Sequence, residues 1–141
     1  MKKALATAVF LAIFLGVDLP NARAQACQEE EGAVTAVKQD LTGLVGTVQK
    51  EDLTDFQKHF HQQTFASRLS ICLQTVGDLL GCLDKAGHDP AATKAQLAAL
   101  EKKQAVYQKL QTGLQNEVQS LKSAKNAKTA KAEIGKFAFA T

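Results

Sequence analysis

The sequence predicts an all-α protein, a three-helix up-down-up bundle with a disulfide-linked helical hairpin, following an N-terminal signal peptide. Three observations carry that expectation. With no Trp, one Tyr and two Pro in 141 residues, and with Ala, Leu, Gln and Lys abundant, the composition favours helix over sheet. Apolar residues recur at steps of three, four and seven along three successive stretches, the period of one helix face. The stretches are separated by short polar turns, which make consecutive helices antiparallel neighbours.

The front of the chain reads MKKALATAVFLAIFLGVDLPNARAQAC. Lys2 and Lys3 are a short positive segment, and Ala4 to Val17 is an uncharged apolar run of 14 residues. Pro20 follows, and Ala22-Arg23-Ala24 supplies the small residues a signal peptidase reads. This is the order of parts of a secretory signal, with cleavage expected after Ala24. A membrane-spanning helix needs about 20 apolar residues, so the run is too short to be an anchor. A lipoprotein box ending at Cys27 would carry a bulky aliphatic residue where Ala24 stands, so lipidation is the weaker reading. The short positive segment suggests a bacterial exporter and a periplasmic or extracellular destination.

Cleavage leaves residues 25–141, enough for one domain with a real core. The 17 basic and 14 acidic side chains fall to 14 and 13 once Lys2, Lys3, Arg23 and Asp18 are removed. A nearly neutral mature chain gives no reason to expect nucleic acid as a partner.

The first helix is read from Cys27, Val34, Val37, Leu41, Leu44 and Val48, with Glu29, Glu30 and Glu31 in its first turn and Lys50 in its last, both suited to the helix dipole. Gly43 and Gly46 weaken it. Asp52 is the expected N-cap of the second helix, with Asp55 three residues on. Its apolar stripe begins Leu53, Phe56, Phe60, shifts phase, and continues Phe65, Leu69, Cys72, Val76, Leu79, Leu83. In Lys85-Ala86-Gly87-His88-Asp89-Pro90, Gly87 is expected in the left-handed conformation that closes a helix, with Asp89 capping the next and Pro90 in its first turn. The third helix carries Leu97, Leu100, Tyr107, Leu110, Leu114, Val118 and Leu121. These three form the expected bundle domain, residues 25–121.

Residues 122–141 read as an Ala/Lys-rich basic tail. Lys122, Lys125, Lys128 and Lys131 recur every third residue, with Lys136 beyond and only Glu133 opposing them. A period of three spirals around a helix and makes no stripe. The tail is expected either to be a solvated, fraying helix end or to contact an anionic lipid or glycan surface.

Cys72 and Cys82 lie about 15 Å apart if the segment between them is one helix, and a disulfide needs Cα atoms within about 7 Å. A local bond would need a break at Gly77 or Gly81, whereas Val76, Leu79, Leu80 and Leu83 keep the helical phase through both. In a hairpin turning near residues 50–51, position i faces about 101 − i, which sets Cys27 opposite residue 74. The expected pair is therefore Cys27–Cys72, with Cys82 free or the alternative partner. Export to an oxidising compartment permits the bond.

Little in the sequence suggests chemistry. His59 and His61 point about 200° apart on a helix and cannot hold one metal ion; Asp55 and His59 have usable spacing but read as a surface ion pair. There is no C-x-x-C dithiol, no C-x-x-C-H haem motif, no phosphate loop and no G-x-S-x-G turn. The expectation is an exported, non-catalytic binding or scaffolding module without cofactor, acting through helix-face contacts with a protein partner or with itself. The alternative is an envelope-associated adaptor whose tail binds anionic lipid or glycan.

Overall fold

The computed structural model describes residues 27–139. The expected signal peptide, 1–24, lies outside the described residues. Among the described residues are four helices and no strand: α1 (Gln28–Val48), α2 (Asp55–Gly87), α3 (Lys94–Lys122) and α4 (Ala127–Gly135). The all-helical expectation holds, and the tail, expected as a fraying helix end, contributes a separate fourth helix. No described helix is long and apolar enough to cross a membrane.

The core follows the predicted stripes closely. Cys27, Val34, Leu41 and Val48 repeat every seven residues along α1 and are all buried. On α2, Phe65, Leu69, Cys72, Val76, Leu79 and Leu83 alternate steps of four and three, the spacing of a seam packed against neighbours, and all six are buried. Leu110 and Leu114 complete the seam from α3, and Ile134 closes it from α4. Helix α2 is the central element, packed on α1 along one side and on α3 along the other. It runs unbroken through Gly77 and Gly81, at about 1.5 Å per residue nearly 50 Å long.

The helix boundaries differ from expectation in ways that local chemistry explains. Helix α2 is capped by Thr54, not Asp52. The Gln57 amide donates to Thr54 Oγ1 at 3.1 Å, and the Thr54 amide donates to Gln57 Oε1 at 2.9 Å. This reciprocal capping box satisfies two of the amides that a helix start leaves without partners. The same device starts α3 at Thr93 with Gln96, at 3.1 and 2.8 Å, four residues past the expected Asp89. Asp89 instead accepts from the Ala91 amide at 2.9 Å, shaping the turn before α3. Gly87 keeps a negative φ and belongs to α2, which His88 terminates. Lys50 falls past the end of α1, which stops at Val48.

The cysteine pairing is corrected. Cys27 bonds to Cys82, with Cα atoms 5.9 Å apart, and Cys72 is a free, buried thiol. The reason is register. Arg68 Nη1 donates to Asp40 Oδ2 at 3.0 Å, and together with the disulfide this sets residue i of α1 opposite roughly residue 109 − i of α2. The expected value of 101 − i assumed a tight turn at residues 50–51. Helix α1 ends at Val48 and α2 begins at Asp55, which alone gives about 103 − i; the remaining six residues are a stagger of about 9 Å that carries the first turns of α2 past the end of α1.

The described part of the expected tail does not fray. Asn126 caps α4, accepting from the Thr129 amide at 2.9 Å. Gln62 Nε2 donates to the Ala127 carbonyl and Gln49 Nε2 to the Lys131 carbonyl, each at 3.0 Å. Gly135 sits against the Gln49 side chain; a Cβ there would lie 3.2 Å from Gln49 Oε1, so a larger residue would need the Gln49 amide to shift by a few tenths of an ångström. After α4 the chain returns over the core, with the Phe137 ring edge-on to Phe65 at 5.5 Å and to Phe139 at 4.8 Å. Lys38 Nζ lies 5.1 Å from the centre of the Phe139 ring, a cation–π contact. Residues 136–139 are therefore a packed extension of the chain beyond α4.

Candidate interaction surface

The phase shift between Phe60 and Phe65 has a structural meaning. Helix α2 starts in the phase of Phe65, which turns Phe56 and Phe60 outward; they are 76% and 55% exposed. At about 100° per residue, Phe56, Phe60 and Ile71 lie within roughly 60° of one another around α2, and Ile71 is 45% exposed. The Phe56 and Phe60 rings stack with centres 6.4 Å apart and planes 17° from parallel. Phe60 also meets the His61 ring at 5.5 Å. Between Phe60 and Asp78 the strip within about 60° of Phe60 carries Gln63, Thr64, Ser67, Ile71, Gln74 and Thr75, with no charge. Such large exposed rings on one strip are the feature of a surface that most often marks an interaction site.

The lysines singled out in the sequence occupy the same end of the molecule. Lys122 lines a shallow apolar groove of about 270 Å³ between α2 and α3, with Ala66, Leu69, Ser70, Val118 and Leu121. The Gln62–Ala127 hydrogen bond holds the α3–α4 connection against α2 at the level of Phe60 but on the opposite side of the helix, since Gln62 points about 200° from Phe60. Lys122, Lys125, Lys128 and Lys136 are exposed. Lys131 is different: half-buried, it is engaged by Glu51 Oε2 at 3.4 Å. The carboxylates at this end are partly answered from within. Besides Glu51, Asp55 has Lys58 at 3.8 Å.

Glu117 of α3 and Glu133 of α4 form a carboxyl pair that sequence reasoning missed, since 16 residues separate them and only the return of α4 joins them. Burial, then the hydrogen bond and the negative charge of Glu133, push the Glu117 carboxyl up to about 7. A second cluster lies at the opposite end. Glu31 of α1 accepts from Lys103 Nζ at 3.1 Å and from the Tyr107 hydroxyl at 3.3 Å, joining α1 to α3. Burial and the Glu31 carboxylate raise the Tyr107 phenol above its ordinary value.

The three cysteines form no reactive centre. Burial raises the Cys72 thiol, only partly opposed by Lys38, so at neutral pH it is a protonated core side chain and not a nucleophile. Among the described residues no group of three His, Cys, Asp or Glu is placed to hold a metal ion. A second open groove of about 280 Å³, between His88 and Gln104, is lined by Asp84, Leu97, Leu100 and Glu101 and brings no such cluster together.

No protein-family model, curated protein or solved structure matches the chain.

Proposed function

We propose that the mature protein is an exported, non-catalytic binding or scaffolding module, an up-down-up bundle that acts through a helix face in the periplasm or outside the cell. The observation that carries the reading is the exposed Phe56–Phe60 pair. Among the described residues, a helical core that buries thirteen apolar side chains leaves two of five phenylalanines stacked in solvent at the start of the longest helix. Their outward placement adds nothing to the core, and covering them on contact with a partner removes apolar surface from water. Support for export comes from the leader-like first 24 residues and from the Cys27–Cys82 bond, which persists in oxidising compartments.

The alternative reading is an envelope-associated adaptor, supported by Lys122, Lys125, Lys128 and Lys136 standing exposed at the same end of the molecule. Both readings use the same end of the molecule. A photo-crosslinking amino acid at position 60, compared with one at the exposed Ala98 of α3, tests them together in exporting cells. An adduct at 60 and none at 98 is the expected result. A chain that forms no adduct at 60 and stays strictly monomeric by light scattering, with and without reductant, overturns the binding-module reading.

A further inference from the structure

We infer that two copies of this chain pair through the outer face of α2, antiparallel about a two-fold axis, with Phe56 and Phe60 of each copy seated over Gly81 and Gly77 of the other. The inference rests on the reading of this face as the contact surface and names its partner.

Helix α2 carries two rows of the same spacing. The buried row from Phe65 to Leu83 alternates steps of four and three. Phe56, Phe60, Gln63 and Ser67 begin a second such row, and Ser70, Gln74, Gly77 and Gly81 continue it, roughly 170° round the helix. All of these but Gly77 are exposed. A four-three row is the seam along which another helix packs.

Two features of the outer row have no explanation within one copy. The first is the stacked phenylalanine pair, which adds nothing to the core. The second is the glycine pair. Glycine in a helix interior is destabilising relative to Ala, yet neither residue has the positive φ that would call for it. A Cβ at Gly81 would meet nothing within 4 Å, and one at Gly77 would only touch Gln111 of α3, 3.9 Å away. A helix pressed against this face does account for them, because it meets backbone where other residues would interpose a side chain.

Register selects the occupant. In an antiparallel pair turned about the midpoint of the row, residue i comes level with residue 137 − i of the other copy. Phe56 then meets Gly81, Phe60 meets Gly77, Gln63 meets Gln74 and Ser67 meets Ser70. Bulk falls on open space at both ends, and polar side chains meet polar ones in the middle. An unrelated helix could complement the phenylalanines at any spacing, whereas bulk and gaps set equally far from one midpoint are what an isologous two-fold contact requires. The row holds no charge, so a second copy brings no like charge into the seam. At its edge Asp78 comes beside Gln57 of the other copy. Beyond the last layer Asp84 and Lys85 come close to the level of Glu51 and Asp52, so charges of both signs stand at each end and the seam itself sets the pairing. The seam is nearly 40 Å long and about 10 Å wide, the scale of a reversible contact and not of an obligate dimer.

Gln63 and Gln74 are exposed and level across the pair, whereas the two copies of either one stand about 16 Å apart along it. Mature, disulfide-bonded Gln63→Cys and Gln74→Cys proteins, mixed and mildly oxidised, should give a disulfide-linked dimer on a non-reducing gel. Neither variant alone should do so, because the bond needs Cα atoms within about 7 Å. In sedimentation equilibrium the unsubstituted protein should dimerise reversibly, and Phe56→Ser/Phe60→Ser should weaken the dimer roughly tenfold or more. Gly81→Gln should weaken it by about as much, by filling the seat, while the melting temperature of the dilute, single copy stays unchanged or rises, since Gln is the better helix former. Unchanged circular dichroism confirms that the other variants fold. Three results overturn the inference: a protein that stays monomeric at every concentration, crosslinking by either cysteine variant alone as readily as by the mixture, or a dimer indifferent to Gly81→Gln. If the protein is monomeric and position 60 crosslinks to a different protein in cells, the self-pairing inference alone fails and the binding-module reading stands.

Discussion

Removing the Cys27–Cys82 bond is the perturbation whose size the structure sets most directly. The crosslink closes a loop with a sequence separation of 55 residues. In the chain-entropy account such a loop removes about 14 cal/mol/K from the unfolded chain, or about 4 kcal/mol at 25 °C. The described domain spans about 113 residues, and at ~2.1 cal/mol/K per residue its unfolding entropy is ~240 cal/mol/K, so Cys27→Ala/Cys82→Ala should lower Tm by roughly 15–20 °C. The assay is thermal unfolding followed by circular dichroism, with oxidised wild type, reduced wild type and the double variant side by side. Reduced wild type should melt close to the double variant. Cys72→Ala is the decisive control, because it removes a buried side chain and no crosslink, and should cost only about 1 kcal/mol. If Cys72→Ala costs as much as the double variant and reductant no longer affects it, the register of α1 on α2 is wrong and the reasoning fails with it.

Three other perturbations test separate parts of the molecule. Glu117 has a folded value of about 7 against an ordinary 4.5, so between those values the folded state binds more protons than the unfolded one. Stability therefore falls as pH rises from about 4.5 through 7, and urea melts of wild type at pH 5.5 and 8 should differ by about 1–2 kcal/mol after discounting for partial exposure; Glu117→Gln should abolish most of that difference. Ile134→Ala should cost about 2–4 kcal/mol, expressed as fast amide exchange over 127–135 while α1 to α3 stay protected; uniform exchange throughout would show that α4 is not a separable unit. Thr54→Ala should cost about 1 kcal/mol in denaturant melts and Asp52→Ala close to nothing, and the reverse order would return the cap to Asp52.

What could be read from the sequence was whatever depends on residues near one another along the chain. The seven-residue repeat of Cys27, Val34, Leu41 and Val48 and the four-three alternation from Phe65 to Leu83 identify buried faces, since each helix presents its stripe regardless of its partner. The break in phase before Phe65 was equally visible. Its consequence, two phenylalanines in solvent, follows once α2 is known to begin in the later phase. Thr54-x-x-Gln57 and Thr93-x-x-Gln96 are local signals too, and the acidic residues nearby drew attention from them.

Long-range register was a different matter. The sequence by itself determined that the described chain is helical, which faces of its helices are apolar, and that Cys72 and Cys82 could meet only if the helix broke at Gly77 or Gly81. Only the tertiary structure decided that Cys27 meets Cys82, that Ile134 and Phe137 bring the basic segment back onto the core, and that Glu117 finds Glu133. The physical reason is leverage. A helix repeats its own faces within a few residues, but the partner opposite any point depends on where the turn ends and how far one helix is staggered along the other, and each residue added to the turn shifts the pairing by one.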